Sequence, residues 1–397
     1  MKFWKLLFIG FSLLCQSFAC QPLPIQPSVV TDTTSKPLWS IVRAGGSIAN
    51  GYFPQFIHNN TVITYKENQG SAVIVALNPN TGQELWTWSD IFARHEASTD
   101  QVHIFENILV WRNARRVYAI NLLTGQTIWK QNIISSASFN TDGIAGLGNK
   151  FLFHSWDPIY FSGCTKTGNI LTEPVLKTNG NTNHAETTTF VNIAPNHLSQ
   201  ASLYDTLAIL PYDSGDAQEE ATFFTLYNLT KNQEIYTKTI PGDTSGVFSR
   251  APIVYNGRIL FPAGAFVLCF DLKTGNEVWR RPFSSVLYPS GITIVGQKIF
   301  CNNNNGFSYA LDLETGKILW QTRTRGGSST PFFLNGVVYF TSVADGRLYG
   351  LDAEDGKILM NIEDPRGGIG FQDVVTGTDG KIFAATYTTL YCFKAAR

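Results

Sequence analysis

Apolar residues occur in short runs separated by turn signals, and the runs and turns recur in the same order along most of the chain. In the clearest stretch, residues 330–334 predict a strand, Asn335-Gly336 a two-residue hairpin turn, and residues 337–342 the next strand. Asp345-Gly346 turns the chain into residues 348–352, and the turn ending at Gly356 feeds residues 357–362. Four strands joined by such short connections predict one antiparallel four-stranded sheet. Asn256-Gly257, Gly296 and Asp379-Gly380 mark the same first hairpin in other stretches.

The unit is a repeat. Val75-Ala76-Leu77-Asn78 with Thr81-Gly82 and Leu85-Trp86 is copied by Tyr118-Ala119-Ile120-Asn121 with Thr124-Gly125 and Ile128-Trp129. Tyr309-Ala310-Leu311-Asp312 with Thr315-Gly316 and Leu319-Trp320 is a third copy. Two more run from Leu268 and Tyr349, and weaker ones centre on Gly168 and Asn232. The turn anchors Gly82, Gly125, Gly168, Asn232, Gly275, Gly316 and Gly356 are 43, 43, 64, 43, 41 and 40 residues apart. An eighth copy starts at Leu390-Tyr391-Cys392-Phe393 but ends before its second half, and Leu38-Trp39 supplies that half from the other end of the chain. Eight split or whole copies predict an all-β, eight-bladed propeller of four-stranded antiparallel blades, its ring closed by the N-terminal strand completing the C-terminal blade.

Two positions per copy describe the packing. Six residues before each anchor stand Ala76, Ala119, Ser162, Cys269, Ala310 and Gly350, with Cys392 equivalent and Leu226 the exception. Small groups there predict close approach between sheets. Four residues after the anchor stand Trp86, Trp129, Tyr236, Trp279, Trp320 and Met360, with Trp39 in the eighth copy. Those large groups are predicted to fill the space between blades, not to serve as ligand platforms.

The first residues read differently. Lys2 and Lys5 precede an apolar run at 6–15, and Ser17 and Ala19 lead to Cys20, the order of a secretory signal peptide over residues 1–19. Residues 20–36 then form a linker and residues 37–397 the propeller domain. Ser17-Phe18-Ala19 suits ordinary signal peptidase. Ala19-Cys20 also resembles the end of a lipobox, which makes Cys20 a candidate lipidation site, although Ser17 and Phe18 stand where Leu and a small residue are usual. The apolar run is about half the roughly 20 residues a spanning helix needs, and no second run matches it, so a polytopic membrane protein is excluded. With 30 Lys+Arg against 30 Asp+Glu there is no electrostatic footprint for nucleic acid.

The pattern Y-A-L-D-L-E-T-G-K-I-L-W at 309–320 resembles the repeat of the pyrroloquinoline-quinone (PQQ) propeller superfamily, and the resemblance covers about residues 37–397. Two branches matter: the quinoprotein dehydrogenases and the non-catalytic BamB-like outer-membrane lipoproteins. A signal peptide ending at a Cys plus eight bare blades is similar to the second. That likeness implies an exported scaffold, monomeric by itself, that binds another envelope protein through one propeller face, possesses no cofactor, and works in outer-membrane protein assembly. It would sit on the periplasmic side of the outer membrane as a lipoprotein, or be soluble in the periplasm or secreted. The alternative is a PQQ-dependent dehydrogenase or another enzyme binding a ligand in the funnel. PQQ chemistry in that branch would need adjacent cysteines and calcium; this sequence has no Cys-Cys pair. Gly326-Gly327-Ser328-Ser329 stand where BamB-like chains often place acidic residues before a Thr-Pro.

Candidate chemistry is sparse. No catalytic set and no metal site are expected: His58, His95, His103, His154, His184 and His197 show no ligand spacing, although His184 and His197 flank Glu186. Cys269 and Cys392 read as small apolar fillers in blades too far apart to be bridged, with Cys301 the thiol in the blade next to Cys269. Two features remain for function. The long interval carries an Asn-, Thr- and His-rich insertion at 172–200, a candidate partner-binding loop or a tolerated surface loop. Arg250, Arg325 and Asp373 precede the first strands of their blades and are the candidate ligand-binding residues at the axial funnel.

Overall fold

The computed structural model describes residues 36–43, 55–68, 71–90, 102–113, 116–133, 144–154, 160–172, 182–185, 189–191, 205, 207–214, 222–240, 252–284, 287, 291–326, 329–342, 344–368, 370–371 and 375–397. They form eight antiparallel sheets, and in six of them the strands pair strictly in chain order. The expected eight-bladed propeller is what they build.

Blade 7 shows the unit. Its inner strand Phe332–Leu334 pairs with Val337–Ser342, which pairs with Arg347–Asp352, which pairs with the outer strand Ile358–Ile362. Inner strands of neighbouring blades touch around the axis, as between Phe332–Leu334 and Thr376–Thr378, or His103–Phe105 and Ala145–Leu147. Consecutive residues of the second strand face opposite neighbours: Val337 and Tyr339 pack towards blade 8, Val338 and Phe340 towards blade 6. Both faces of a middle strand are therefore buried, which is why it reads as an unbroken apolar run and not as an alternation. The core is accordingly a series of wedges, one between each pair of blades, such as Ile63, Tyr65 and Trp88 against Leu109 and Trp111.

The terminal strand Trp39–Val42 pairs with Thr389–Lys394 as the outermost strand of blade 8, with Trp39 opposite Cys392. In the other blades the same register puts Ala76 opposite Trp86, Ala119 opposite Trp129, Cys269 opposite Trp279 and Ala310 opposite Trp320. The small residue thus makes room for the aromatic group of its own sheet, a more local reason than the expected approach of two sheets. Where Leu226 replaces it, the partner is the slimmer Tyr236.

Each of these aromatic groups then reaches into the next blade. The indole Nε1 of Trp39, Trp86, Trp129, Trp279 and Trp320 donates to the carbonyl of Pro79, Leu122, Thr165, Leu313 and Ala353, and the Tyr236 hydroxyl donates to that of Leu272, all at 2.7–3.2 Å. The ring lies on the turn glycine: a Cβ on Gly316 would be 2.5 Å from Trp279, and its φ of 63° already disfavours other residues. Repeat and ring are one device.

Blade 4 differs from expectation. Thr182–Ala185 and Thr189–Val191, within the 172–200 insertion, both pair with Leu207–Ser214, so the inner position is shared by two short strands. Part of the insertion is therefore sheet, not a projecting loop.

Candidate functional site

Because hairpins alternate ends, the ring has two distinct sides. The tight turns after the first and third strands share one side, held by Asx caps such as Asp312 Oδ1 accepting from the Thr315 amide at 2.8 Å. The connections between blades and the turns after second strands share the other, here called the loop side.

Of the predicted site residues only Arg325 lies among the described residues; Cys20, Arg250 and Asp373 do not. Arg325 is exposed and adopts φ 63°, followed by Gly326 at φ 101°. Its backbone rests on the Asn303–Gly306 turn, whose Gly306 carbonyl accepts from the Thr324 amide at 2.8 Å. Beneath it, Ser308 Oγ donates to Asn302 Oδ1 at 2.9 Å, Asn302 Nδ2 to the Ser329 carbonyl at 3.1 Å, and the Thr341 amide to Ser329 Oγ at 2.8 Å. This polar web ties the connection to blades 6 and 7 together.

Two tyrosines missed at the level of sequence extend the site. The Tyr349 hydroxyl donates to Asp345 Oδ2 and that of Tyr391 to Asp364 Oδ1, each at 2.7 Å. Burial and then the bonded carboxylate push both phenols well above the usual tyrosine range, so both stay protonated donors. Asp364 also caps its own loop by accepting from the amides of Arg366 and Gly368 at 3.0 Å. Arg347 donates to Asn361 Oδ1 at 3.0 Å and pairs with Glu363, and Arg366 donates to Thr389 Oγ1 at 3.2 Å. Tyr387, 38% exposed, stands in the adjoining turn of blade 8. The available signal was the Tyr before the small residue in blades 6 to 8, at Tyr309, Tyr349 and Tyr391.

This sector holds Arg325, Arg347 and Arg366 against Asp345, Glu363 and Asp364, so its charges balance. Exposed Arg and Tyr over a hydrogen-bonded base fit the composition of protein interfaces better than a pocket for a small anion. Among the described residues no three His, Cys, Asp or Glu groups converge as around a metal ion. His103 is instead part of a wedge: it meets the Gly148 carbonyl at 2.8 Å, a Cβ on Gly146 would overlap its ring, and burial lowers its pKa. The four described thiols, Cys164, Cys269, Cys301 and Cys392, are free.

Burial pushes the Cys269 and Cys392 thiols up to about 12 and raises Cys301 as well. Cys164, which takes the Asx-cap place in blade 3, is lowered by the Thr167 hydroxyl and accepts from Asn149 Nδ2 at 3.2 Å. At pH 8 a thiol of pKa 12 is thiolate in roughly one molecule in ten thousand. Iodoacetamide followed by peptide mass mapping is therefore expected to label Cys164 in the native protein, and Cys269, Cys301 and Cys392 only after denaturation.

Eight blades of PQQ-type repeat, locked by aromatic groups and closed by the N-terminal strand, define an eight-bladed propeller of the quinoprotein-like class. A family profile described as "Outer membrane protein assembly factor BamB" matches residues 28–149 and 263–368. The match covers more than half of the chain, which belongs to that family. Outer membrane protein assembly factor BamB of Yersinia pestis is 24% identical over 147 residues, covering 33% of this chain and 37% of the relative. The aligned part thus spans about a third of that protein. The crystal structure of BamB from Moraxella catarrhalis superposes with a TM-score of 0.60 at 14% identity, covering 91% of this chain and 99% of that one. A europium-containing methanol dehydrogenase gives 0.64 at 12% identity, covering 91% and 86%; this likeness is one of fold alone.

Proposed function

We propose that the chain is an exported, non-enzymatic scaffold that binds another envelope protein through the loop side of its propeller during outer-membrane protein assembly. In this reading residues 1–19 direct export, Cys20 carries the lipid that holds the protein at the periplasmic side of the outer membrane, and the blades work without PQQ or calcium. Two acyl chains or more are needed for stable anchoring. The observation that carries the reading is the family match over more than half of the chain. The charge-balanced Arg and Tyr sector at Arg325, Arg366 and Tyr387 supports a protein partner. Deleting the gene is expected to lower the abundance of outer-membrane β-barrel proteins, measured by quantitative proteomics of isolated membranes, and re-expression is expected to restore it. Unchanged barrel levels in the deletion strain would contradict the assignment.

A further inference from the structure

A closed ring is as strong as its weakest junction, and the intuitive weak point is where the two chain ends meet. The structure gives that place full support. Trp39 donates to Pro79 and covers Gly82 as its counterparts do in other blades. The junction of blades 7 and 8, where Met360 replaces the aromatic group, has a substitute: the Ala396 amide donates to the Tyr339 hydroxyl at 2.8 Å, and Arg397 pairs with Asp352 at 2.5 Å.

The junction of blades 3 and 4 has lost each part of the lock. Counting four from Gly168, the aromatic position is Thr172. Blades 1, 2, 4, 5, 6 and 7 carry a register shift just after the residue six before the anchor, which sets the residue four after the anchor opposite it. In blade 3 the pairing runs on without one, Gly163 opposite Ile170 and Ser162 opposite Leu171. On the receiving side the turn glycine is Asn232, at φ 51°, whose Oδ1 accepts from the Tyr227 hydroxyl at 2.6 Å. Here a side chain stands where the other turns have a bare glycine under a ring. The described apolar core of this junction is Leu152 with Ala208 and Leu210, flanked by Tyr227 and Leu229. The divided inner strand of blade 4 adds a second interruption beside it.

We infer that the junction between blades 3 and 4 is the seam at which the propeller opens, while the joint of the termini stays shut. Opening there would bare the facing sheets of the two blades to water, and the strands that line the seam would then break their backbone pairing locally more often than those of the locked blades.

Hydrogen exchange of the full chain, read by mass spectrometry, tests the inference. Amides of Tyr160–Cys164 and Leu207–Ser214 are expected to exchange at least about tenfold faster than those of the equivalent strands Arg116–Asn121 and Arg258–Ala263. Equal protection would overturn it. In a second arm, Trp129→Thr copies blade 3's residue into blade 2, and exchange across the junction of blades 2 and 3 is expected to rise about tenfold, whereas Trp129→Tyr, which can lock as Tyr236 does, keeps it near the parent value. No difference between the two variants would overturn the role of the lock. Should Trp129→Thr not fold, the comparison within the parent chain decides alone.

Discussion

Replacing Trp279 with alanine is expected to lower the unfolding free energy by about 3 kcal/mol, towards the lower end for large aromatic truncations because the ring is only partly buried. The loss has three sources. The indole fills the wedge between blades 5 and 6, donates to the Leu313 carbonyl at 3.0 Å, and lies on Gly316. Gly316→Ala attacks the same seat from the other side, adding about 1–2 kcal/mol for the left-handed backbone and about 1–3 kcal/mol for the overlap with Trp279. In the double variant the overlap vanishes with the ring, so the two costs are expected to add to less than their sum. Urea denaturation midpoints of the parent, both single variants and the double variant measure this. Additive shifts, or an unchanged midpoint for Trp279→Ala, would show that the ring does not rest on the glycine.

Removing the closing strand is expected to have a larger effect still. A chain beginning at residue 44 loses the pairing of Trp39–Val42 with Thr389–Lys394, the Trp39 lock on Pro79, and Arg43. Arg43 is buried, with its guanidinium 3.7 Å above the Tyr65 ring and its Nε donating to the Tyr65 carbonyl at 3.3 Å. Blade 8 would then present Thr389–Lys394 as an open edge of apolar residues, a template for pairing with another chain. The expected result is a chain that associates and melts without one cooperative transition, read by light scattering and calorimetry. A peptide of residues 36–43 added in excess is expected to reverse it. A monomer that melts like a chain beginning at residue 36 would mean that the ring does not depend on this strand.

The parts of the fold that were legible in the sequence are those that repeat. A turn glycine is held in place by an aromatic ring from the preceding blade, and a small residue by the aromatic opposite it, so both survive as a period visible without a structure. Leu38-Trp39 and Leu390-Tyr391-Cys392-Phe393 could be joined into one blade for the same reason. Blade 4 was less readable because Thr182–Ala185 and Thr189–Val191 contain neither the aromatic nor the turn glycine, and only pairing with Leu207–Ser214 makes them strands. The candidate site was hardest, since connections between blades carry no period. Arg325 was visible as a charge before a blade, but its polar base at Asn302, Ser308 and Ser329 comes from three separate segments. The Tyr349–Asp345 bond spans four residues across a turn, whereas Tyr391 meets Asp364 from another blade, a contact that spacing does not encode.

The claim that this propeller acts by holding a partner on its loop side is tested most directly by photo-crosslinking in living cells. A photoreactive residue placed at Arg325, Arg366 or Tyr387 is expected to yield a discrete heavier adduct containing another envelope protein, while the same residue at the exposed Leu123, on the opposite side of the ring, yields none. No adduct from any of the three loop-side positions, with the protein present at normal levels, would contradict the account.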